Sequence, residues 1–229
     1  MEAAWLRKDK WVAFYDGSYA PHRPEADPVT SKEDLGAVGI EHLPWRSHEP
    51  ASQLLAYIQA GKLLPSARAL ELGCGTGENL VALAHHTKFV CGVDIVEDAV
   101  KTAQVALRGA RMDCTKAQVV CADVFDLPEE APLLLDGGEW EFDFIFDCQC
   151  FHCLFQVDAS SAAKVYSQLL APGGKLLMLT GNSEEVASRG PVQLSYEEVY
   201  HAFDGTDLFC QASDDPPLGW LSVWQKAPT

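Results

Sequence analysis

A glycine-rich turn between a strand and a helix is the feature that most constrains how this chain can fold. Residues 67–72 are mainly apolar and predict a buried strand, and apolar residues continue at helical spacing over 81–84. Between them, Gly73, Gly75 and Gly77 can adopt positive φ and leave the backbone bare, so the chain can turn sharply while a ligand lies against it. The helix that follows offers its first N–H groups to an electron-rich group. We therefore predict a ligand site at this turn.

Acidic residues stand at the ends of three predicted strands. Glu71 closes the first strand, Asp94 ends the apolar run at 89–93, and Asp123 follows the run at 118–122. Ligands of open parallel sheets bind at the carboxyl ends of the strands, so these acids should point into the crevice beside the glycines. An acid at the tip of the second strand is well placed for the two hydroxyls of a ribose.

Strand and helix patterns alternate along the chain. The strand patterns lie at 67–72, 89–94, 118–122, 142–147, 175–180, 208–212 and 220–225, and the helical patterns lie at 50–61, 97–107 and 159–170, after Gly77 and from Ser195. Such alternation is typical of a parallel sheet with right-handed crossovers. We predict an α/β fold with a doubly wound, seven-stranded and mostly parallel sheet.

The glycine turn and the second strand together resemble a known cofactor site. Glu71-Leu-Gly-Cys-Gly-Thr-Gly77, with Gly92-Val-Asp94-Ile95 behind it, is similar to the S-adenosylmethionine site of class I methyltransferases. The resemblance implies a Rossmann-like methyltransferase fold and S-adenosyl-L-methionine as the cofactor. It also implies that Asp123 reaches the adenine amino group, that Val124 offers its backbone N–H, and that Ile95 lies against the adenine face.

The first 48 residues are aromatic and irregular, and two interpretations are open. They form a tail that wraps the core, or a lid over the ligand site. Trp5-x5-Trp11 followed by Pro44-Trp45-x4-Pro50 resembles the arm of the thiopurine methyltransferase-like branch, in which aromatic residues close over the cofactor. We thus expect an arm over 1–48 and one methyltransferase domain over 49–229. The cofactor contacts expected from the whole resemblance are Trp11, Trp45, Glu71, Gly73, Cys74, Gly75, Gly77, Asp94, Ile95, Asp123, Val124, Asp147 and Cys148.

The branch resemblance continues beyond the cofactor site but with departures. Asp147 falls where that branch has its Asp-Arg-Gly turn, and Cys148 stands in place of the arginine. Ala163 stands where a helix arginine is usual, and Val192 stands where a second proline is found. With both arginines replaced, nothing in the sequence transfers that branch's anionic aromatic substrate to this chain.

Methyl transfer from an activated donor needs little catalytic apparatus beyond alignment and exclusion of water. A thiol acceptor supplies reactivity by ionising, whereas an oxygen or nitrogen acceptor needs a general base. Asp147 and His152 are the candidate bases, although Asp147 could equally cap the following turn and His152 could be a buried histidine at a helix start. The trio Cys148, Cys150 and Cys153 lacks a second ligand pair at zinc-finger distance, so we expect no metal.

These observations favour a methyltransferase with a small-molecule acceptor, and a thiol or another soft nucleophile is the first candidate. A protein methyltransferase and a non-catalytic cofactor-binding module are the alternatives. A nicotinamide-dependent oxidoreductase is disfavoured, because the chain lacks the Gly-x-Gly-x-x-Gly spacing and a Tyr-x-x-x-Lys dyad.

Charge and composition limit the partners. The formal charge of -16 would repel a phosphate backbone, so we expect no nucleic-acid partner. No apolar stretch of about 18 residues exists and the start lacks the apolar core of a signal peptide, so we expect no membrane partner and a cytoplasmic protein. The eight cysteines are then reduced thiols rather than a disulfide framework. A monomer is the expected state.

Overall fold

Strands and helices alternate along the described part of the chain. The computed structural model describes residues 11–12, 15, 47–127, 141–181, 193–214 and 219–228. Its elements are α1 (Ser52–Gln59), β1 (Arg68–Leu72), α2 (Glu78–His86), β2 (Phe89–Asp94), α3 (Glu97–Gly109), β3 (Ala117–Cys121), β4 (Phe142–Cys148), α4 (Phe151–Leu169), β5 (Leu170–Thr180), α5 (Tyr196–Ala202), β6 (Leu208–Asp214) and β7 (Trp220–Lys226).

The strands form one seven-stranded sheet in the order β3-β2-β1-β4-β5-β7-β6. The first five strands are parallel, and β7 pairs antiparallel with both β5 and β6. The predicted doubly wound, mostly parallel sheet is therefore confirmed. The strand order reverses between β1 and β4, and ligands of such sheets bind at the carboxyl ends of the strands beside this reversal.

Helices cover both faces of the sheet because the central strands carry apolar side chains on both sides. On β1, Leu70 and Leu72 belong to the core cluster that includes residues of α4 and α5. Ala69 lies on the opposite face, in the cluster that contains Leu54 of α1 and Leu83 of α2. Strand β2 is buried along its full length, as expected for an inner parallel strand.

Two predicted boundaries were wrong. Helix α4 begins at Phe151 rather than at residue 159, and Asp158 interrupts it with φ −162° and ψ 97°. Asp158 accepts a hydrogen bond from the Ser161 N–H (2.9 Å), so the predicted start corresponds to the second half of the helix. Strand β5 begins at Leu170, because the Pro-Gly-Gly segment forms an irregularity in the β4–β5 ladder rather than a break before it.

The predicted helix start at Ser195 is confirmed in its details. The Glu198 N–H donates to Ser195 Oγ (3.2 Å), and the Ser195 N–H donates to Glu198 Oε2 (2.7 Å). This is the reciprocal capping box that the spacing indicates.

Several predictions fall outside the described residues. Among them are those for Trp5 and Trp45 of the arm and for Val192. Within the described parts of the chain, no helix has the length and apolar character needed to cross a membrane.

Candidate active site

The three glycines of the first crossover all have positive φ, but for different reasons. The values are +66° at Gly73, +51° at Gly75 and +90° at Gly77. A Cβ at Gly73 would lie 2.8 Å from Cys150 Sγ, and one at Gly77 would lie 2.9 Å from Ala103 Cα, so these two positions are closed by packing. At Gly75 the nearest atom to such a Cβ is the Tyr15 hydroxyl oxygen, at 3.5 Å. Gly75 therefore presents the bare backbone that a ligand can approach.

Asp94 holds the glycine turn against the tip of β2. Its Oδ2 accepts the Gly75 N–H (2.9 Å) and its Oδ1 accepts the Val96 N–H (2.9 Å). Burial raises the pKa of this carboxyl, and the backbone hydrogen bonds from Val96 and Gly75 act in the opposite direction. A carboxylate offers about four lone-pair sites, and the N–H of Ile95 is a third backbone group that acts on this one, so acceptor capacity remains for a ligand hydroxyl.

Glu71 is a buried acid at the end of β1 with one oxygen left unpaired. The side chain is 1% exposed, the Asn79 amide donates a hydrogen bond to it, and Oε2 has no partner. Asn79 is fixed in turn by the Ala51 N–H, which donates to Asn79 Oδ1 (2.7 Å). Burial raises the pKa of Glu71 well above its ordinary value, and the nearby acids Glu78, Asp147 and Asp94 raise it further. An unpaired buried carboxylate oxygen is costly unless a ligand compensates it.

Asp147 at the end of β4 organises the corner that leads into α4. One oxygen accepts the N–H groups of Cys150 (2.9 Å) and Phe151 (3.3 Å), and the other accepts the Tyr166 hydroxyl. The side chain has no exposed surface. Burial raises the pKa of Asp147 to about 6, although these hydrogen bonds lower it. The structure thus places this predicted base inside the protein with both oxygens engaged.

His152, the second predicted base, lies in the first turn of α4 against the end of β5. The Gly181 N–H donates to His152 Nδ1 (3.2 Å), so the neutral ring carries its proton on Nε2. Burial lowers the pKa of this imidazole to about 4. His152 is therefore neutral at physiological pH and a weak base.

The cysteines beside these acids are not ionised. Burial raises the pKa of Cys148 to about 12, and the acids Glu71 and Asp147 add to the shift. Burial also raises the pKa of Cys150 well above its usual range. Among the residues that the structure describes, no group of three or more His, Cys, Asp or Glu side chains could hold a metal ion.

The residues predicted to hold the adenine lie at the same carboxyl-terminal edge of the sheet. Asp123 Oδ1 accepts the Phe125 N–H (3.0 Å), which closes a tight turn after β3, and Val124 within this turn is buried. Ile95 follows Asp94 and, like Trp11, packs against the cluster of Tyr15, Val96 and Ala99. The position of Trp45 lies outside the described residues.

Sequence reasoning missed two residues of this site. Tyr15 is buried on Val96 and Ala99, and its hydroxyl faces Gly75. The four-residue spacing between Trp11 and Tyr15 could have placed both on one helical face. Gln149 has φ +64°, and its N–H donates to the Leu179 oxygen (2.8 Å). No sequence signal indicated this conformation, which is uncommon for a residue with a side chain.

A doubly wound sheet with a bare glycine turn at its first crossover and buried acids at neighbouring strand tips is the arrangement expected of a class I S-adenosylmethionine-dependent methyltransferase. The unpaired oxygen of Glu71 and the open face of Gly75 fit a cationic adenosyl ligand at this turn. Residues 39–214 match the thiopurine S-methyltransferase family. The chain belongs to this family, and S-adenosyl-L-methionine is its cofactor. The predicted enzyme class is confirmed.

Curated relatives agree with the family assignment. The chain is 31% identical over 195 residues to "Probable thiol methyltransferase 2" of Arabidopsis thaliana, with 81% of each protein covered. It is also 34% identical to "Thiocyanate methyltransferase 1" of the same plant over 141 residues. This matched segment covers 61% of this chain and 56% of the relative.

Solved structures share the fold across most of the chain. A 1,6-didemethyltoxoflavin-N1-methyltransferase of Burkholderia thailandensis matches with a TM-score of 0.67 at 18% identity, covering 99% of this chain and 89% of the other. A SAM-dependent methyltransferase of Aquifex aeolicus matches with a TM-score of 0.64 at 17% identity, covering 81% of this chain and 95% of the other. At these identities the likeness concerns the fold.

Proposed function

We propose that this enzyme methylates the sulfur of a small-molecule thiol. The observation that carries the proposal is the state of the two candidate bases. Both oxygens of Asp147 accept hydrogen bonds from the protein, and the pKa of His152 lies at about 4. Neither group is suited to remove a proton from a hydroxyl or an amine at neutral pH. A thiol needs no such base, because it ionises by itself near physiological pH.

The relatives and the sequence departures support a sulfur acceptor. The two Arabidopsis relatives carry the names thiol and thiocyanate methyltransferase, and both names describe sulfur nucleophiles. Cys148 and Ala163 replace the arginines of the thiopurine branch. An acceptor without a carboxylate agrees with both facts.

The chain's own residues would bind and orient the reactants. Gly75 leaves room for the cofactor at the turn, Asp94 would accept hydrogen bonds from the ribose hydroxyls, and Ile95 and Tyr15 would cover the adenosyl group. When bound, S-adenosylmethionine supplies an activated methyl group, and its transfer to a thiolate gives a thioether and S-adenosylhomocysteine. We assign Asp147 a positioning role, since it fixes the β4–α4 corner through Cys150 and Tyr166.

Methyl transfer from radiolabelled cofactor tests the acceptor class. The purified enzyme is offered a panel of small thiols, phenols and amines, and separately a cell lysate. We expect label in the thiols, with kcat/KM rising with pH up to the pKa of each thiol and following that pKa from one thiol to the next. Label in phenols, amines or lysate proteins but not in thiols would contradict the proposal, as would a pH profile that is the same for thiols of different pKa.

We also infer the wider organisation of the protein. The acidic charge of -16 supports a monomer without a nucleic-acid partner. The eight free cysteines support a location in the cytoplasm, where thiols stay reduced. The packing of Trp11 and Tyr15 beside Ile95 supports a division into an arm over 1–48 that covers the cofactor and a methyltransferase domain over 49–229.

A further inference from the structure

Three acids converge at the carboxyl ends of adjacent strands. Leu72 of β1 pairs with Val93 of β2 and with Asp147 of β4. Glu71 precedes Leu72 by one residue and Asp94 follows Val93 by one residue, so the three acids lie within one residue of the same level of the sheet. The strand pairing, and not a flexible loop, therefore fixes their separation.

Glu71 is the member of this group that is poised for a ligand. Its side chain is 1% exposed, and Oε2 has no hydrogen-bond partner. The hydrogen bond that the Glu71 side chain accepts comes from the Asn79 amide, which is a neutral group. This acid is thus withdrawn from water, and the residues that the structure describes place no cation against it.

The charged groups that act on Glu71 from the surrounding elements are acidic. Glu78 lies at the start of α2, Asp94 at the end of β2 and Asp147 near the end of β4. The thiols of Cys74 in the glycine turn and Cys148 in β4 also interact with Glu71, and burial keeps both protonated by raising their pKa. Like charges in a desolvated site favour the protonated carboxyl, whereas a nearby cation favours the ionised one.

The two ligands of a methyltransferase differ in this charge. S-adenosylmethionine carries a sulfonium cation, and S-adenosylhomocysteine carries a neutral thioether in its place. If the carboxyl interacts with the sulfonium, it is ionised more fully with S-adenosylmethionine bound than with S-adenosylhomocysteine bound, because ligand binding and proton binding are linked.

We propose that Glu71 is a specificity-determining residue that couples cofactor binding to proton release: it ionises when the sulfonium binds and takes up a proton again once the thioether product is formed. The inference rests on the proposed function, since it requires methyl transfer at this site. The proton leaves Glu71 for solvent on substrate binding and returns after the reaction. The product leaves a protonated carboxyl behind, and the next S-adenosylmethionine to bind releases that proton again.

Calorimetry of the full chain measures this coupling. Binding of S-adenosylmethionine and of S-adenosylhomocysteine is titrated in phosphate and in Tris, whose ionisation enthalpies differ, so the protons released are counted for each ligand. We expect S-adenosylmethionine to release more protons than S-adenosylhomocysteine, by up to one. Its affinity should rise by up to tenfold per pH unit below the pKa of Glu71, while the affinity of the product stays constant.

A matched pair of variants assigns the proton to Glu71. Glu71→Gln should abolish the difference in proton release and weaken S-adenosylmethionine relative to S-adenosylhomocysteine by tenfold or more. Glu141→Gln removes an exposed carboxyl just before the amino end of β4, remote from the rim, and should leave both quantities unchanged.

The outcomes separate this inference from the proposed function. Equal proton release for the two ligands in the wild-type protein overturns the inference while leaving the methyltransferase intact, and this readout does not depend on any variant folding. Unchanged ligand selectivity in a folded Glu71→Gln protein overturns it as well. If neither ligand binds the wild-type protein, the proposed function fails together with the inference.

Discussion

At the scale of single residues, burial acts on two neighbouring groups with opposite signs. Asp147 and His152 lie on either side of the β4–α4 corner and are both almost completely buried. Burial disfavours the charged form of each, so it raises the pKa of the carboxyl to about 6 and lowers that of the imidazole to about 4. At neutral pH the acid is ionised and the histidine is neutral.

The stability of the protein should therefore show two opposite pH dependences. The contribution of Asp147 is fully present below pH 3.8, its ordinary pKa, and is lost as the pH rises through about 6. The contribution of His152 is present above pH 6.5 and is lost as the pH falls through about 4. Each shift of about two units corresponds to about 3 kcal/mol in the free energy of unfolding.

Asparagine variants isolate the two effects, because asparagine can accept the same backbone N–H groups at each position. Denaturant unfolding is followed from pH 4 to 7. Relative to Asp147→Asn, the wild type should lose stability as the pH rises, and relative to His152→Asn it should lose stability as the pH falls. Curves that run parallel to the wild type in both variants would show that neither group titrates in the folded protein as described.

At the scale of elements, the glycine turn joins β1 to α2 and also packs against α3. Gly77→Ala places a Cβ 2.9 Å from the Ala103 backbone and forces alanine to φ +90°, so we expect a loss of about 2–4 kcal/mol in the free energy of unfolding. Gly109→Ala is the control, since nothing lies within 4 Å of its Cβ at the end of α3, and it should gain about 0.5–1 kcal/mol. Thermal and denaturant unfolding of both variants measures the contrast. Similar stabilities for the two would mean that α3 does not pack on the turn.

The elements could be predicted from sequence where the signal lies within the segment itself. Strands such as β1 and β2 are short apolar runs between turn signals, and Ser195 with Glu198 is a local cap, so both kinds of signal are readable. The start of α4 was placed too late, although Asp147 could be named as a possible cap and His152 as a possible helix-start residue. The hydrogen bond that fixes this corner, from the Tyr166 hydroxyl to Asp147, spans 19 residues and has no local signal.

The site, too, could be predicted only where its residues are close together in the sequence. The chemistry of the glycine turn and of Asp94 is encoded locally, and both could be named from spacing. The hydrogen bond from Gly75 to Asp94 spans 19 residues, and the approach of Tyr15 to Gly75 spans 60, so only the folded chain shows them. The buried state of Asp147 and His152 is likewise a property of tertiary packing.

At the scale of the whole molecule, one sheet connects the cofactor turn to both core clusters. Because the described elements share this sheet, we expect one cooperative thermal transition that ligand binding shifts upward. S-adenosylhomocysteine at about 100 times its Kd should add about 2.7 kcal/mol, which corresponds to a rise in Tm of about 5–10 °C for a chain of this size. Differential scanning calorimetry measures the shift, and NADH at the same concentration should cause none. An equal shift with NADH would contradict the assignment of the glycine turn.

The contact between Gly73 and Cys150 has a consequence for engineering the enzyme. A side chain at residue 73 would need the space that the Cys150 side chain now fills, at 2.8 Å, so residue 73 cannot gain a Cβ while Cys150 stays as it is. Mutant libraries that aim to change this corner should therefore randomise residues 73 and 150 as a pair, because single-site scans at residue 73 would discard combinations that need the change at residue 150.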